Sequence, residues 1–166
     1  MTENEISRVV VDAALKVHRA LGPGLLESVY EVVLAHELRS RGLRVQRQVS
    51  VPIRYDNICF DEAFKADLVV EQKVIVEIKS VEQAKRVHKK QVLTHLRLTD
   101  MRLGLLINFG TELIRDGITR LVNGLEDEPT KKTPLAGLAP LREMNTAPHT
   151  PREQETPSTT VMRARD

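Results

Sequence analysis

The fold is decided by FKADLVVEQKVIVEIK, residues 64–79, which predicts two neighbouring strands joined by a polar turn. In a strand, residues two apart point to the same face. Glu77 and Lys79 therefore share one face, while Val74, Val76 and Ile78 point the other way, towards the core. If residues 71–73 form a three-residue loop, Asp67 lies opposite Glu77 on the adjoining strand. The segment thus predicts two carboxylates and an ammonium group in one place.

Two carboxylates on adjoining strands, about 5 Å apart, repel each other unless a positive charge is close. Lys79 supplies part of that charge, and a hard divalent cation with a preference for oxygen ligands would supply the rest. The ordinary alternative is that Asp67, Glu77 and Lys79 lie on a solvated sheet face. A two-residue turn would place the two carboxylates on opposite faces and abolish the site.

The rest of the chain predicts helices packed on a mixed sheet. Helical spacing of apolar residues indicates a first helix over 3–21, in which Thr2 and Glu5 form a capping box, and a second helix over 26–41. The other predicted elements are strands over 45–54, 58–60, 64–70, 74–79 and 103–109, a turn at Asp56-Asn57, a helix over 82–98, and a hairpin at Asp116-Gly117. This order is typical of the α/β class.

Composition divides the chain into two parts. Six of the eight prolines fall in residues 129–166, where basic residues outnumber acidic ones 6 to 4 and apolar periodicity is lost. Residues 1–128 contain 19 basic and 19 acidic side chains. We therefore expect one folded domain over 1–128 and a disordered Pro/Thr-rich tail over 129–166.

Composition also excludes several classes of protein. With one cysteine, Cys59, neither an intramolecular disulfide nor a thiolate metal cluster can form. We expect Cys59 to be a small buried apolar residue. No apolar run approaches the roughly 20 residues of a membrane helix, and the polar, acidic start is unlike a secretory signal. These features predict a soluble cytoplasmic protein that does not bind membranes.

A second segment, GPGLLESVY at residues 22–30, carries a resemblance to a known family. With Gly24, Glu27 and Tyr30 at these spacings, it resembles the signature of the bacterial GxxExxY proteins, a branch of the PD-(D/E)xK nuclease superfamily. The similarity covers roughly residues 5–125 and includes the segment described above. It implies a restriction-endonuclease-like fold, a mixed sheet flanked by helices.

The resemblance also implies roles for individual residues. Asp67 and Glu77 would be metal ligands, and Lys79 the catalytic lysine. Glu27 would be a further acidic member facing the same pocket, although a solvated charge near a helix N-terminus is the ordinary interpretation. Gln91 would match a polar helix position of several nucleases in this superfamily.

Three further features are open to more than one interpretation. Four positions after Gln91, those nucleases often carry Tyr, whereas this chain has His95, which we interpret as a half-buried packing residue rather than a general base. Tyr30 is expected to pack in the core with its hydroxyl hydrogen-bonded. Basic residues cluster twice and are either phosphate contacts or solvated charges: Arg39, Arg41, Arg44 and Arg47, and Lys85, Arg86, Lys89 and Lys90.

The first hypothesis is a metal-dependent nuclease that acts on nucleic acid, with DNA as the expected substrate. Asp67, Glu77 and Glu27 would hold Mg²⁺ or Mn²⁺, with the carbonyl oxygen of Ile78 as another ligand. Lys79 would activate or orient the attacking water, and Gln91 would position the substrate or Lys79. The alternative is a catalytically silent nucleic-acid-binding or protein-interaction module on the same fold. A third and weaker alternative is a subunit that acts only together with a partner enzyme. A homodimer is also considered, since many nucleases pair two active sites to cut two strands.

Overall fold

A computed structural model describes residues 1–125 of the chain. The predicted tail over 129–166 lies outside the described residues. The elements are α1 (Glu3–Leu21), α2 (Glu27–Ser40), β1 (Val45–Tyr55), β2 (Ile58–Val70), β3 (Val74–Lys79), α3 (Arg86–Thr99), β4 (Leu103–Asn108), α4 (Ile114–Gly117) and β5 (Ile118–Val122). Within this part of the chain, no helix combines the length and apolar character needed to cross a membrane.

The two N-terminal helices begin and end as their sequences predict. The Thr2 hydroxyl accepts a hydrogen bond from the Glu5 N–H, and the Glu5 carboxylate accepts one from the Thr2 N–H, which is the predicted capping box. Helix α2 ends just before Gly42, whose φ of 83° lies in the left-handed region that favours glycine.

The sheet is mixed and its strand order follows the sequence, β1-β2-β3-β4-β5. All neighbouring strands are antiparallel except β3 and β4, which are parallel and joined through α3. The α/β architecture with a mixed sheet flanked by helices, predicted from the sequence, is confirmed.

Helices cover both faces of the sheet. The larger apolar cluster combines residues of α1 and α2 with alternate residues of β2, β3 and β4. The smaller cluster lies on the other face, where Val92 and Leu96 of α3 pack on Ile75 and Leu106. Every residue of β4 is buried, as expected for a central strand covered on both sides.

Helix α3 approaches β4 closely because residue 104 is glycine. A Cβ atom there would lie 2.6 Å from Cγ1 of Val92, so any larger residue would push the helix away from the sheet.

Several local predictions were wrong. The strands predicted over 58–60 and 64–70 form the single strand β2, because a bulge absorbs the polar residues between them: three residues of β2 face one of β1 between the pairs Val51–Phe64 and Ile53–Phe60. Cys59 is exposed on this strand rather than buried.

Two predicted element boundaries were also wrong. The third helix begins at Arg86 rather than near residue 82, because Lys85 is extended and caps the helix, with its N–H bound to Nδ1 of His88. At Asp116-Gly117 the chain forms the short helix α4 rather than a hairpin, and Ile114, the first residue of this helix, is buried.

Candidate active site

The candidate site lies where β2 and β3 separate. Their pairing runs from Val70–Val74 to Leu68–Val76 and stops there. Strand β3 nevertheless continues to pair with β4 as far as Lys79. The last three residues of β3 therefore have no β2 partner, although they still pair with β4. The three-residue turn over 71–73 gives the predicted register, in which Asp67 and Glu77 are the next positions after the last pair.

Asp67 takes the place of the missing strand partner. Its Oδ2 accepts a hydrogen bond of 2.8 Å from the N–H of Ile78, and its Oδ1 lies 3.4 Å from Nε2 of Gln48. Burial raises the pKa of the Asp67 carboxyl, although the Ile78 N–H and the Lys79 ammonium oppose this. Asp67 is thus fixed against β3 in a setting where its negative charge is poorly solvated.

Glu77 is almost completely enclosed. Only 6% of the residue is exposed, and Oε1 accepts a hydrogen bond of 2.8 Å from Nζ of Lys79. Its other oxygen, Oε2, has no hydrogen-bond partner among the described residues. Burial, and then the nearby Asp67 carboxylate, raise the pKa of Glu77 despite the contact with Lys79. This carboxylate therefore still has an oxygen available to a cation.

Lys79 remains a cation in this setting. Burial alone would lower the pKa of its ammonium group, but the hydrogen bond that this group donates to Glu77 and the charges of Glu77, Glu27 and Asp67 outweigh burial and raise the pKa. The group is therefore protonated at neutral pH and supplies a fixed positive charge.

The segment over 22–30 brings Glu27 to the same region. Glu27 is exposed at the first position of α2, and its Oε1 accepts a hydrogen bond of 3.1 Å from the N–H of Ser80, directly after Lys79. It also lines an open groove of about 500 Å³ with residues 23–26, 80–82 and Gly110. The expectation that Glu27 faces the site is consistent with these contacts.

Tyr30 holds the segment over 22–30 against the core. The residue is fully buried, and its ring stacks on Phe109 with 4.3 Å between ring centroids. Its hydroxyl donates to the carbonyl oxygen of Gly22 and accepts from the N–H of Leu25. Tyr30 therefore packs in the core and ties down the loop that precedes Glu27, as its sequence context predicts.

Gln91 and His95 lie one turn apart on α3 but have different surroundings. Gln91 is exposed, whereas His95 is 7% exposed and stacks on Phe64 with 3.5 Å between ring centroids. Nδ1 of His95 lies 3.9 Å from Oε2 of Glu77. Burial, and then the Lys79 charge, lower the pKa of His95 to about 4, so the ring is neutral at pH 7. His95 is a packing residue, but it also reaches the site.

Sequence reasoning missed two polar residues next to Asp67. Glu31 is buried, and its carboxylate accepts hydrogen bonds from Nε of Arg47 and Nε2 of Gln48 at 2.8 and 2.7 Å. The spacing of four residues from Glu27 was a signal for Glu31. For Gln48 there was no such signal, because its side chain reaches Asp67 from a residue with φ of 50° inside a strand.

The two basic clusters differ. In the first, each arginine is already engaged: Arg39 with the Val45 carbonyl, and Arg41, Arg44 and Arg47 with Glu37, Glu71 and Glu31. In the second, at the start of α3, all four side chains are exposed, and none forms an ion pair with a residue in the described range: Lys85, Arg86, Lys89 and Lys90. The second cluster is therefore the better phosphate-contact candidate.

The residues present fit a hard divalent cation. The buried Glu77 carboxylate, which has an unpaired oxygen, and the half-buried Asp67 carboxylate both have raised pKa values and form a site that a positive ion would stabilise. Over residues 1–125, no group of three or more His, Cys, Asp or Glu side chains is arranged as a metal site. The protein ligands are thus few, as is common for Mg²⁺, which keeps several waters.

Comparison with known proteins gives one match that spans most of the described residues. A family model described as the PD-(D/E)XK nuclease superfamily matches residues 4–121. The mixed five-stranded sheet flanked by helices is consistent with the restriction-endonuclease-like fold. A search of curated proteins finds no significant match.

One solved structure, the crystal structure of SSO0001, matches this chain with a TM-score of 0.43 and 20% sequence identity. The match covers 60% of this chain and 50% of that one, so the present chain spans half the length of that protein.

Proposed function

Because the chain belongs to the PD-(D/E)XK nuclease superfamily, we propose that it is a metal-dependent nuclease that hydrolyses phosphodiester bonds, with DNA as its substrate. The observation that supports this most strongly is the position of the buried Glu77 carboxylate and the half-buried Asp67 carboxylate beside the Lys79 ammonium where β2 and β3 separate. A fold-only role would not require three charged groups in a poorly solvated place.

We propose that the carboxylates of Asp67 and Glu77 bind Mg²⁺ or Mn²⁺. Glu27 and the carbonyl oxygen of Ile78 would be further oxygen ligands. When bound, such an ion polarises a phosphoryl oxygen and lowers the pKa of a coordinated water. The unpaired Oε2 of Glu77 supports this assignment, because a buried acceptor without a partner is rare in folded proteins.

Lys79 acts in this proposal as a cation. Since its pKa is raised, it is not a base at neutral pH and does not remove the proton of the attacking water. Its ammonium group instead orients the water and stabilises the negative charge that develops on the phosphate. The hydrogen bond to Oε1 of Glu77 fixes the ammonium group in position for this role.

The exposed basic cluster at the start of α3 is the proposed phosphate-contact surface. Its four side chains follow the loop that leaves β3 directly after Lys79. Gln91, exposed on the next turn of the same helix, is proposed to position substrate. Each lysine or arginine removed from the cluster should weaken binding and reduce its salt dependence.

We also propose that the chain belongs to the GxxExxY branch of the superfamily. Two contacts support this, because they give both residues of the signature a role in the structure. Tyr30 holds the 22–25 loop, and Glu27 binds the Ser80 N–H next to Lys79. The cytoplasmic location and the homodimer stay predictions.

The proposed activity is tested by incubating the full chain with double-stranded DNA, single-stranded DNA and RNA, in Mg²⁺, Mn²⁺ or EDTA. We expect cleavage only with a divalent ion, and its loss in Lys79→Ala. Lys16→Ala, which changes an exposed lysine far along α1, is the matched control and should cleave normally. Equal cleavage by Lys79→Ala and the wild type would contradict the proposal.

A silent binding module is the second candidate, and one observation favours it: Glu27 and Asp67 already accept backbone hydrogen bonds, which is a structural role. A calorimetric titration with Mg²⁺ separates the two candidates, because the module requires no ion. Absence of binding heat, together with DNA binding that is lost when Lys89 and Lys90 are replaced by alanine, would support the module.

A further inference from the structure

Two buried polar atoms face each other without a hydrogen-bond partner within the described residues. They are Oε2 of Glu77 and Nδ1 of His95, 3.9 Å apart. Both atoms are shielded from solvent, and the two residues are only 6% and 7% exposed. At this separation the two atoms do not hydrogen-bond to each other.

A buried polar atom without a hydrogen-bond partner destabilises the fold, so two such atoms at one position indicate a group that binds both. Such a group has to be small, since it lies between atoms 3.9 Å apart. It also has to be compatible with a carboxylate oxygen on one side and an imidazole nitrogen on the other.

Other contacts hold the side chains of Glu77 and His95 in place. Oε1 of Glu77 is bound by Nζ of Lys79, so Oε2 is the oxygen left to face α3. The His95 ring lies parallel to the Phe64 ring, with 6° between the planes. Helix α3 is itself fixed on the sheet by the buried side chains of Val92 and Leu96. The His95 ring is therefore aimed at the carboxylate by its packing.

We propose that His95 is a nitrogen ligand of the catalytic cation, which it would hold through Nδ1 together with Oε2 of Glu77, and that it gives the site a preference for transition-metal ions over Mg²⁺. This inference rests on the proposed metal-dependent function. Imidazole nitrogen favours first-row transition metals, whereas Mg²⁺ selects oxygen ligands.

The sequence around His95 gives a natural comparison. The nucleases that this chain resembles often carry Tyr at the corresponding position. A tyrosine or phenylalanine would keep an aromatic ring beside Phe64 but remove the nitrogen. His95→Phe and His95→Tyr therefore separate metal coordination from packing.

The experiment uses the full chain, freed of metal and then loaded with Mn²⁺ as the probe. Pulsed electron paramagnetic resonance detects nitrogen bound to Mn²⁺ through its hyperfine coupling. We expect this coupling in the wild type and its loss in His95→Phe and His95→Tyr. His36→Phe, which changes an exposed histidine of α2, is the matched control and should retain the coupling.

Calorimetry on the same proteins provides a second measurement. In His95→Phe the affinity for Mn²⁺ should fall on the order of tenfold, while the affinity for Mg²⁺ changes by no more than about twofold. Circular dichroism melting curves show whether each variant is folded, and His95→Tyr serves if the phenylalanine variant is not.

The outcomes distinguish this inference from the function on which it rests. If Mn²⁺ binds but shows no nitrogen coupling, or if the coupling persists in both His95 variants, His95 is not a ligand and the metal-dependent function is unaffected. If neither Mn²⁺ nor Mg²⁺ binds the wild type, the metal-dependent function is wrong, and the inference with it.

Discussion

The two halves of β3 have the same length and the same neighbour on one side, yet they do opposite things. Val74, Ile75 and Val76 pair with β2 and β4 and are buried among apolar side chains. Glu77, Ile78 and Lys79 pair only with β4, and two of the three are charged.

The difference shows how a sheet makes room for a polar site. Where β2 pairs with β3, backbone groups satisfy each other and the side chains need only be apolar. Where β2 leaves, the Ile78 N–H needs another acceptor, and the carboxylate of Asp67 provides it. The same separation brings an acid from β2 beside the acid and lysine of β3. The structural role of Asp67 and its proposed metal-binding role thus have one origin.

The largest expected effect on cleavage comes from removing the acidic side chain in the second half of β3. Glu77→Ala should reduce metal-dependent cleavage by about 10³-fold, because both the carboxylate that would hold the cation and the partner of Lys79 are lost. Initial rates of DNA cleavage in Mn²⁺ measure this. Glu112→Ala changes an exposed glutamate and is the control. Cleavage by Glu77→Ala at the wild-type rate would show that this half of β3 is not catalytic.

The first half of β3 should respond in stability instead. Ile75→Ala removes a fully buried side chain from the cluster under α3 and should lower the free energy of unfolding by about 3 kcal/mol. Mn²⁺ affinity, measured below the melting temperature, should not change. A large loss of metal affinity in a folded Ile75→Ala protein would mean that the two halves are not independent.

Asp67 connects the two halves, and two substitutions separate its roles. Asp67→Ala leaves the Ile78 N–H without its acceptor and should cost about 1–2 kcal/mol of stability. Asp67→Asn keeps an acceptor oxygen and removes a poorly solvated charge, so it should be the more stable variant at neutral pH. Both should lose metal affinity. Equal stability of the two variants in chemical denaturation would contradict the partner role of Asp67.

The smallest effect is a dependence of stability on pH. Because the pKa of Glu77 in the folded chain lies above its ordinary value of 4.5, its carboxyl group favours the fold when protonated. This stabilising contribution is fully present when the pH is below 4.5, the ordinary pKa of the group. It is lost as the pH rises through the higher pKa that Glu77 has in the folded chain. Glutamine is neutral throughout, so Glu77→Gln should melt at a higher temperature than the wild type at about pH 7 and at a similar temperature at about pH 4.

Melting temperatures from circular dichroism, measured without divalent ions, test this dependence. If Glu77→Gln raised the melting temperature more in acid than at neutral pH, the pKa of Glu77 would not be raised in the folded chain.

Much of this arrangement is local in the sequence and could be predicted from it. The three-residue turn over 71–73 and the alternation of β3 predict the register that places Asp67 and Glu77 together. The capping box of α1 and the buried β4 are local patterns of the same kind.

What could not be predicted depends on contacts between distant parts of the chain. Gln48 reaches Asp67 only because its backbone is left-handed within a strand, a conformation unusual for any residue but glycine. The contact of His95 with Glu77 depends on how closely α3 packs on β4, which Gly104 allows.

The most direct test of the central claim is a crystal of the full chain soaked in Mn²⁺ and measured at a wavelength where manganese scatters anomalously. We predict an anomalous peak between the carboxylates of Asp67 and Glu77, and its absence in crystals of Glu77→Ala. A wild-type map with no peak between these two side chains, in crystals where Mn²⁺ has reached other sites, would contradict the claim that the separated strands form a metal site.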